Sequence, residues 1–290
     1  MDKIRKLVKK IETADVIVVG GGSGMSNAAG MNYWYEDSPE FKKSFGDILK
    51  RYPTAKGLFN MAYTQYENNN IRWAMIMRMV DFILHEPVSK PTYDYLKELL
   101  QGKNYHLVTT NQDGIFHRYF PEEKISSIQG DWRFLQSTVT ETDKNLYDAK
   151  KYVDRAINYM KENNSMLYLP DEFIPHSPVN GKEMTFWVRS PEFLEDQTYY
   201  DEHQKLNQFL EQHKNEKVLF LELGVGRMTP MFIQEPFWEL THYLQDAFYI
   251  NINPKDAITN PAIQEKSLLI AEDIHDVLAQ ATSLVKEEVK

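Results

Sequence analysis

Six short apolar runs constrain this chain most: Val16–Gly20 (VIVVG), Tyr105–Thr109 (YHLVT), Ile125–Ile128, Val218–Leu223 (VLFLEL), Ala247–Ile252 (AFYINI) and Ser267–Ile270. Most are apolar on both faces rather than alternating, which suits strands of a parallel sheet covered by helices on either side. Helices are signalled between them. Pro91 opens Thr92–Leu100 and Gly102 closes it, the asymmetry of a helix start and stop. Ile4, Leu7, Val8 and Ile11 share one face near the N-terminus, as do Ile274, Val277, Leu278 and Leu284 in Glu272–Glu287. The expected fold class is α/β: a Rossmann-like, doubly wound parallel sheet of about six strands with helices on both faces.

The strands are unevenly spaced. Residues 1–33, 87–133 and 214–290 are expected to form the nucleotide-binding sheet domain. Two insertions, 34–86 and 134–213, are expected to form a smaller domain. Asn70–His85 is the strongest helix there, and its Trp73, Met75, Met77 and Met79 read as core rather than as a lipid or cofactor box. The net charge is -9 with no basic block, which argues against nucleic acid or an anionic membrane as partner. There is no cysteine, so neither a disulfide nor a thiolate zinc site can form. The N-terminal MDKIRKLVKKIETAD lacks the apolar core of a signal peptide, and no run approaches a membrane span; a cytoplasmic protein is expected.

In VIVVGGGSGMSNAAGM, glycines stand between a strand and a helix start, where backbone can approach a pyrophosphate. The G-x-G-x-x-G spacing fails, because Met25 stands where the third glycine belongs, and no acidic residue ends a second strand about twenty residues on. Any dinucleotide is therefore held differently from that of an ordinary dehydrogenase. The next strand ends in Thr109-Thr110-Asn111-Gln112-Asp113-Gly114. Polar residues there either meet a ligand or cap the following helix.

Taken together, the segments resemble the sirtuin family. Gly22-Ser23-Gly24-Met25-Ser26 with Gly30-Met31 is similar to its Gly-Ala-Gly signature, and the Thr-Thr-Asn-Gln-Asp segment to its Thr-Gln-Asn-x-Asp motif. Ser127-Ile128-Gln129-Gly130 stands where sirtuins carry His-Gly. Gly224-Val225-Gly226-Arg227-Met228-Thr229 resembles their Gly-Thr-Ser loop, Ile250-Asn251-Ile252-Asn253 the segment that meets the adenosine ribose, and Glu272-Asp273-Ile274 the adenine-contacting loop. The resemblance implies nicotinamide adenine dinucleotide (NAD) as co-substrate. Its contacts would be Gly22, Ser23, Gly24, Met25, Ser26, Gly30, Met31, Asn111, Gln112, Asp113, Gln129, Gly224, Val225, Gly226, Thr229, Asn251, Asn253, Asp273 and Ile274. It implies catalytic roles for Asp113 on the nicotinamide carboxamide, Asn111 on the ribose or a water, and Gln129 on the ribose hydroxyls.

Three departures matter. The Pro-Asp-Phe-Arg stretch is replaced by Asn32-Tyr33-Trp34-Tyr35-Glu36-Asp37, whose aromatics read as a lid or as plain packing. The zinc cysteines are missing, so no zinc is expected and packing must hold that lobe; His176-Ser177-Pro178 stands near the lost knuckle, and His176 reads as a surface residue. Gln129 replaces the general base, and a carboxamide accepts no proton near neutral pH. Gln-Gly is shared with the macrodomain-linked (class M) microbial sirtuins, whose Leu-Glu-x-Gly-Val-Gly segment also matches Leu221–Gly226. That resemblance implies protein mono-ADP-ribosylation, with a lipoyl-carrier protein as acceptor and a macrodomain hydrolase as partner. Three readings follow in this order: an ADP-ribosyltransferase acting on a protein side chain, an NAD or ADP-ribose sensor or NAD hydrolase, and a lysine deacylase using His106 or His117 as base.

Overall fold

The computed structural model describes residues 2–288. Its strands are β1 (Val16–Gly21), β2 (Asn104–Thr109), β3 (Ile125–Ser127), β4 (Gly130–Ser137), β5 (Leu146–Asp148), β6 (Met184–Val188), β7 (Val218–Leu223), β8 (Ala247–Ile252) and β9 (Ser267–Ile270). Its helices are α1 (Asp2–Thr13), α2 (Ser23–Ala28), α3 (Pro39–Arg51), α4 (Gly57–Tyr63), α5 (Asn69–His85), α6 (Thr92–Leu99), α7 (Phe116–Tyr119), α8 (Lys150–Glu162), α9 (Gln197–His213), α10 (Gln234–Tyr243) and α11 (Ile274–Glu288). The chain divides into two compact units. One comprises Met1–Gly30, Val88–Gln129 and Gln197–Lys290, the other Met31–Pro87 and Gly130–Asp196.

The first unit holds the expected parallel sheet, in the order β3-β2-β1-β7-β8-β9. Every residue of β1 and β7 is buried, as their unbroken apolar runs require. The chain steps outward from β1 to β2 and β3, then restarts at β7 and steps the other way. The order therefore reverses between β1 and β7, and in such sheets ligands bind beyond the carboxyl ends of the strands at that reversal. Helix α1 buries the expected Ile4, Leu7, Val8 and Ile11, while α11 packs on α1 and α6 through residues that include Val277 and Leu278. Helix α9 departs from the sequence expectation, which grouped 197–213 with the second insertion. It packs on β2 and β3, where Glu202 accepts from the Ser127 backbone N–H at 2.7 Å and Phe209 meets the His106 ring.

The second unit combines α3, α4, α5 and α8 with an antiparallel sheet, β5-β4-β6. Trp73, Met75, Met77 and Met79 are buried core, as read. Arg78 is buried among them; its guanidinium grips both Asp47 oxygens (2.7 and 2.8 Å) and donates to the Ser44 and Met166 carbonyls, so the buried charge is fully met. Tyr33 lies edge-on to Phe82 inside this unit, whereas Tyr35 is exposed. The cysteine-free lobe is not held by apolar packing alone. Asp143, only 2% exposed, gathers the Asn145 backbone N–H and amide, the Tyr147 hydroxyl and the Ser177 hydroxyl at 2.6–3.0 Å. His176 beside it is exposed and bonded to its own loop at the Ile174 carbonyl.

Candidate active site

Two glycine turns meet at the reversal point. The turn after β1 runs through Gly22 and Gly24, the turn after β7 through Gly224 and Gly226. Gly22 N–H donates to the Leu223 carbonyl at 3.0 Å, and Gly24 N–H to the Gly224 carbonyl at 2.9 Å. A methyl group on Gly22 would stand 2.6 Å from the Gly224 oxygen, one on Gly24 2.7 Å from the Gly224 Cα, and one on Gly224 2.5 Å from the Gly24 Cα. Gly224 also has φ +62, a conformation that disfavours any Cβ. These three glycines thus serve first to let two turns pack backbone on backbone. Gly226 has no atom within 4 Å of its Cβ position, and Ser23 beside Gly24 is exposed. The joined turns therefore leave a backbone-lined rim open to a ligand.

Behind the turns, β2 ends in a polar network. Asn111 donates its amide to the Gly22 carbonyl (3.0 Å) and to Ser26 Oγ (3.1 Å). Ser26 donates in turn to Asp113 Oδ2 at 2.6 Å, and Asp113 Oδ1 accepts from the Ile115 N–H at 3.0 Å. Asp113 is 3% exposed, so these bonds hold its carboxylate nearly sealed from water. Tyr93 lies 3.2 Å from Ser26 Oγ through its hydroxyl and stacks on Tyr119; sequence reading did not single it out. Both amide hydrogens of Asn111 are spent on the protein, and among the described residues no hydrogen bond uses its side-chain oxygen.

Gln129 ends this unit at 9% exposure. Its backbone carbonyl accepts from the Gln112 amide at 2.9 Å, so Gln112 acts as a brace. Among the described residues no hydrogen bond uses the Gln129 carboxamide, which keeps both a donor and an acceptor end.

The other expected contacts are placed as follows. Met25 and Val225 are buried in the core, and Met31 is buried in the second unit. Gly30 has φ +88 beside Ser89, and Thr229 is half-buried after the β7 turn. Ile274 packs beneath Gly224, while Asp273 accepts from the Asp276 and Val277 N–H groups at the start of α11. Asn251 is buried with its amide on the Asp256 and Ile258 carbonyls. Asn253 donates to the Val225 carbonyl and accepts from Lys255 and Asp256. Both asparagines thus pin the loop after β8 in place.

Neither histidine offers a substrate base. His106 is buried in β2 at 2.9 Å from Ser126 Oγ, and burial, aided by Lys205 and Lys124, pushes its pKa down to about 4. His117 has a covered side chain, with Nδ1 on Glu122 and Nε2 on Ser127. Among the described residues no group of three or more His, Cys, Asp or Glu could hold a metal ion.

No protein-family model matches the chain. The fold is that of the Sir2 sirtuins. A Sir2 structure addressing mechanism and regulation aligns over 99% of both chains at 18% identity with a TM-score of 0.56. A Sir2 homologue in complex with NAD aligns over 99% of this chain and 95% of its own at 13% identity, with a TM-score of 0.55. In sequence, a protein ADP-ribosyltransferase of Staphylococcus aureus is 32% identical over 278 residues, covering 93% of this chain and 84% of that protein. A probable bifunctional ADP-ribose hydrolase/ADP-ribosyltransferase of Fusarium oxysporum f. sp. cubense is 25% identical over 239 residues, which are 78% of this chain and 38% of the relative. The chain belongs to the family of sirtuin-fold protein ADP-ribosyltransferases.

Proposed function

We propose that this protein takes NAD and mono-ADP-ribosylates a protein side chain, with release of nicotinamide. One observation carries the reading: a sealed Asn111–Ser26–Asp113 network stands beside a base-free Gln129 whose carboxamide is not used by the protein. NAD fits this site in that the rim has open space at Gly226 and an exposed Ser23, although the N–H groups of Gly22, Gly24 and Gly224 are already donated to backbone carbonyls and, of these glycines, only that of Gly226 is left for a phosphate. When bound, NAD supplies the ADP-ribosyl group, with nicotinamide as leaving group.

The residues divide the work. Asp113, held in place by Ser26 and Ile115, is the group we assign to the nicotinamide carboxamide. The Asn111 oxygen accepts from a ribose hydroxyl, because its nitrogen is committed to Gly22 and Ser26. Gln129 donates to and accepts from ribose hydroxyls, fixing the sugar while the acceptor approaches. None of these steps asks for a proton acceptor at residue 129. The acceptor is a protein, and a lipoyl-carrier protein is our candidate. A macrodomain hydrolase is the proposed reversing partner, a pairing supported by the name of the Fusarium relative. The cytoplasm, where NAD is abundant, is the proposed compartment; among the described residues no helix is long and apolar enough to cross a membrane.

The test is incubation of the purified protein with labelled NAD and a lysate of its source, with Asn111→Ala run alongside. The expected result is label on discrete protein bands that disappear with the variant. NAD bound by calorimetry yet left intact, with no labelled band, would overturn transfer and favour a sensor.

A further inference from the structure

Gln129 lies just beyond β3, which is three residues long and sits at the sheet edge, paired only to β2. Its last ladder bond runs from the Ile128 N–H to the Thr109 carbonyl at 3.2 Å. A short edge strand restrains its carboxyl end weakly. Side chains add what the ladder lacks. The Ser127 N–H donates to Glu202 at 2.7 Å, and the Ser127 hydroxyl lies 2.9 Å from His117 Nε2. The other imidazole nitrogen, Nδ1, is 2.6 Å from Glu122 Oε2. A carboxylate on one ring nitrogen holds the imidazole in one orientation and selects the role of the other.

We infer that Glu122, His117 and Ser127 form a positioning relay that sets where the Gln129 carboxamide stands. The order of groups is that of a hydrolase triad, but Ser127 is buried and the His117 side chain is only 5% exposed, so neither is presented as a nucleophile or base. What the relay joins is informative. His117 belongs to α7, four residues after Asp113, while Ser127 is two residues before Gln129. The loop of Asn111 and Asp113 is thus tied to the strand end of Gln129 twice: directly through Gln112, and through the imidazole. Movement of either loop against the other separates the groups that must act together on one ribose.

The kinetic part of the test rests on the transferase reading; a second readout does not. In His117→Ala and Ser127→Ala, kcat for ADP-ribosyl transfer is expected to fall about tenfold, the scale of a small misplacement of reacting groups. KM for NAD should stay within about twofold, because the glycine turns are untouched. The double variant should be no worse than either single one, as members of one chain are coupled. His117→Gln, whose amide reaches toward Ser127, should recover most of the loss. Independently of turnover, backbone hydrogen exchange over 125–130 should speed up at least about tenfold in His117→Ala. Should that variant fail to fold, Ser127→Ala and Glu122→Gln carry the same two readouts. Faster exchange beside an inactive wild type keeps the relay and removes the transferase reading. Unchanged exchange and unchanged kcat beside an active wild type overturn the relay and leave that reading standing.

Discussion

Asp143→Ala should loosen the cysteine-free lobe that its carboxylate ties together. The carboxylate accepts four hydrogen bonds, two at each oxygen, from Asn145, Tyr147 and Ser177. Asn145 is exposed, so water can replace the carboxylate for its two donors. Ser177 is buried and Tyr147 half-buried, and their hydroxyls lose a charged partner that solvent cannot readily supply. Two such bonds at about 1.5–3 kcal/mol each put the loss at about 3–6 kcal/mol. Urea unfolding measures it, and hydrogen exchange over 139–148 and 175–181 shows whether it is local. A loss under about 1 kcal/mol, with exchange unchanged in both segments, would refute the hub. The pH dependence gives a second check. Burial raises the Asp143 carboxyl, but the bonds from Ser177, Asn145 and Tyr147 outweigh it, and its pKa lies below the ordinary 3.8. Its contribution is therefore complete above the unfolded value and is lost as pH falls through the folded one. Protection of 139–148 should hold down to the ordinary carboxylate value of 3.8 and be lost only below it in the wild type, and Asp143→Asn, with no carboxylate, should show no such step.

Gly224→Ala drives a methyl group to 2.5 Å from the Gly24 Cα at φ +62, so the two turns must part; NAD affinity by calorimetry should drop at least about tenfold and stability by more than about 1 kcal/mol, whereas Gly226→Ala, with open space around it, should leave stability near wild type. Glu222→Gln tests a buried carboxyl held by Tyr249 and Gln234, whose pKa burial pushes up from 4.5 to about 7. A raised folded-state value contributes stability below the unfolded value that is lost as pH rises through the folded one, a span on the order of 3 kcal/mol. Urea midpoints at pH 5 and pH 9 should therefore fall further for the wild type than for the variant.

The large sheet was legible because its strands are apolar on both faces; those of β7, β8 and β9 begin and end where their runs do. The antiparallel strands β4 and β6 were not read. Their pairing spans a long insertion, and GDWRFLQS mixes charge with aromatics on a strand that is mostly buried. At the site, the glycines and the Asn111–Asp113 segment stood out because their residue types are unusual at strand ends. Tyr93, 67 residues from Ser26, looks like any aromatic on an amphipathic helix. The signal available for His117 and Glu202 was equally weak. Each is a polar residue on a helix, and only the sheet topology brings them to the same serine. For Asn251 and Asn253 the motif was legible while the use of each amide was not, since bonding to backbone carbonyls leaves no trace in residue type.

A carboxamide at Gln129, where the resemblance to sirtuins implies a histidine, limits what the rest of the site can do, and the surrounding residues agree with it. Deacylation needs a base to deprotonate a ribose hydroxyl, and the two histidines that could have taken over that task are committed elsewhere. His106 is sealed in the sheet with its pKa lowered to about 4, and His117 is bonded at both ring nitrogens. Orientation, by contrast, is over-provided. Ser26, Tyr93 and Ile115 surround Asp113, Gly22 fixes Asn111, and Gln112 with Ser127 fixes the backbone that carries Gln129. A site rich in positioning and poor in proton acceptors suits cleavage of a bond to a good leaving group more than base-driven attack by a hydroxyl.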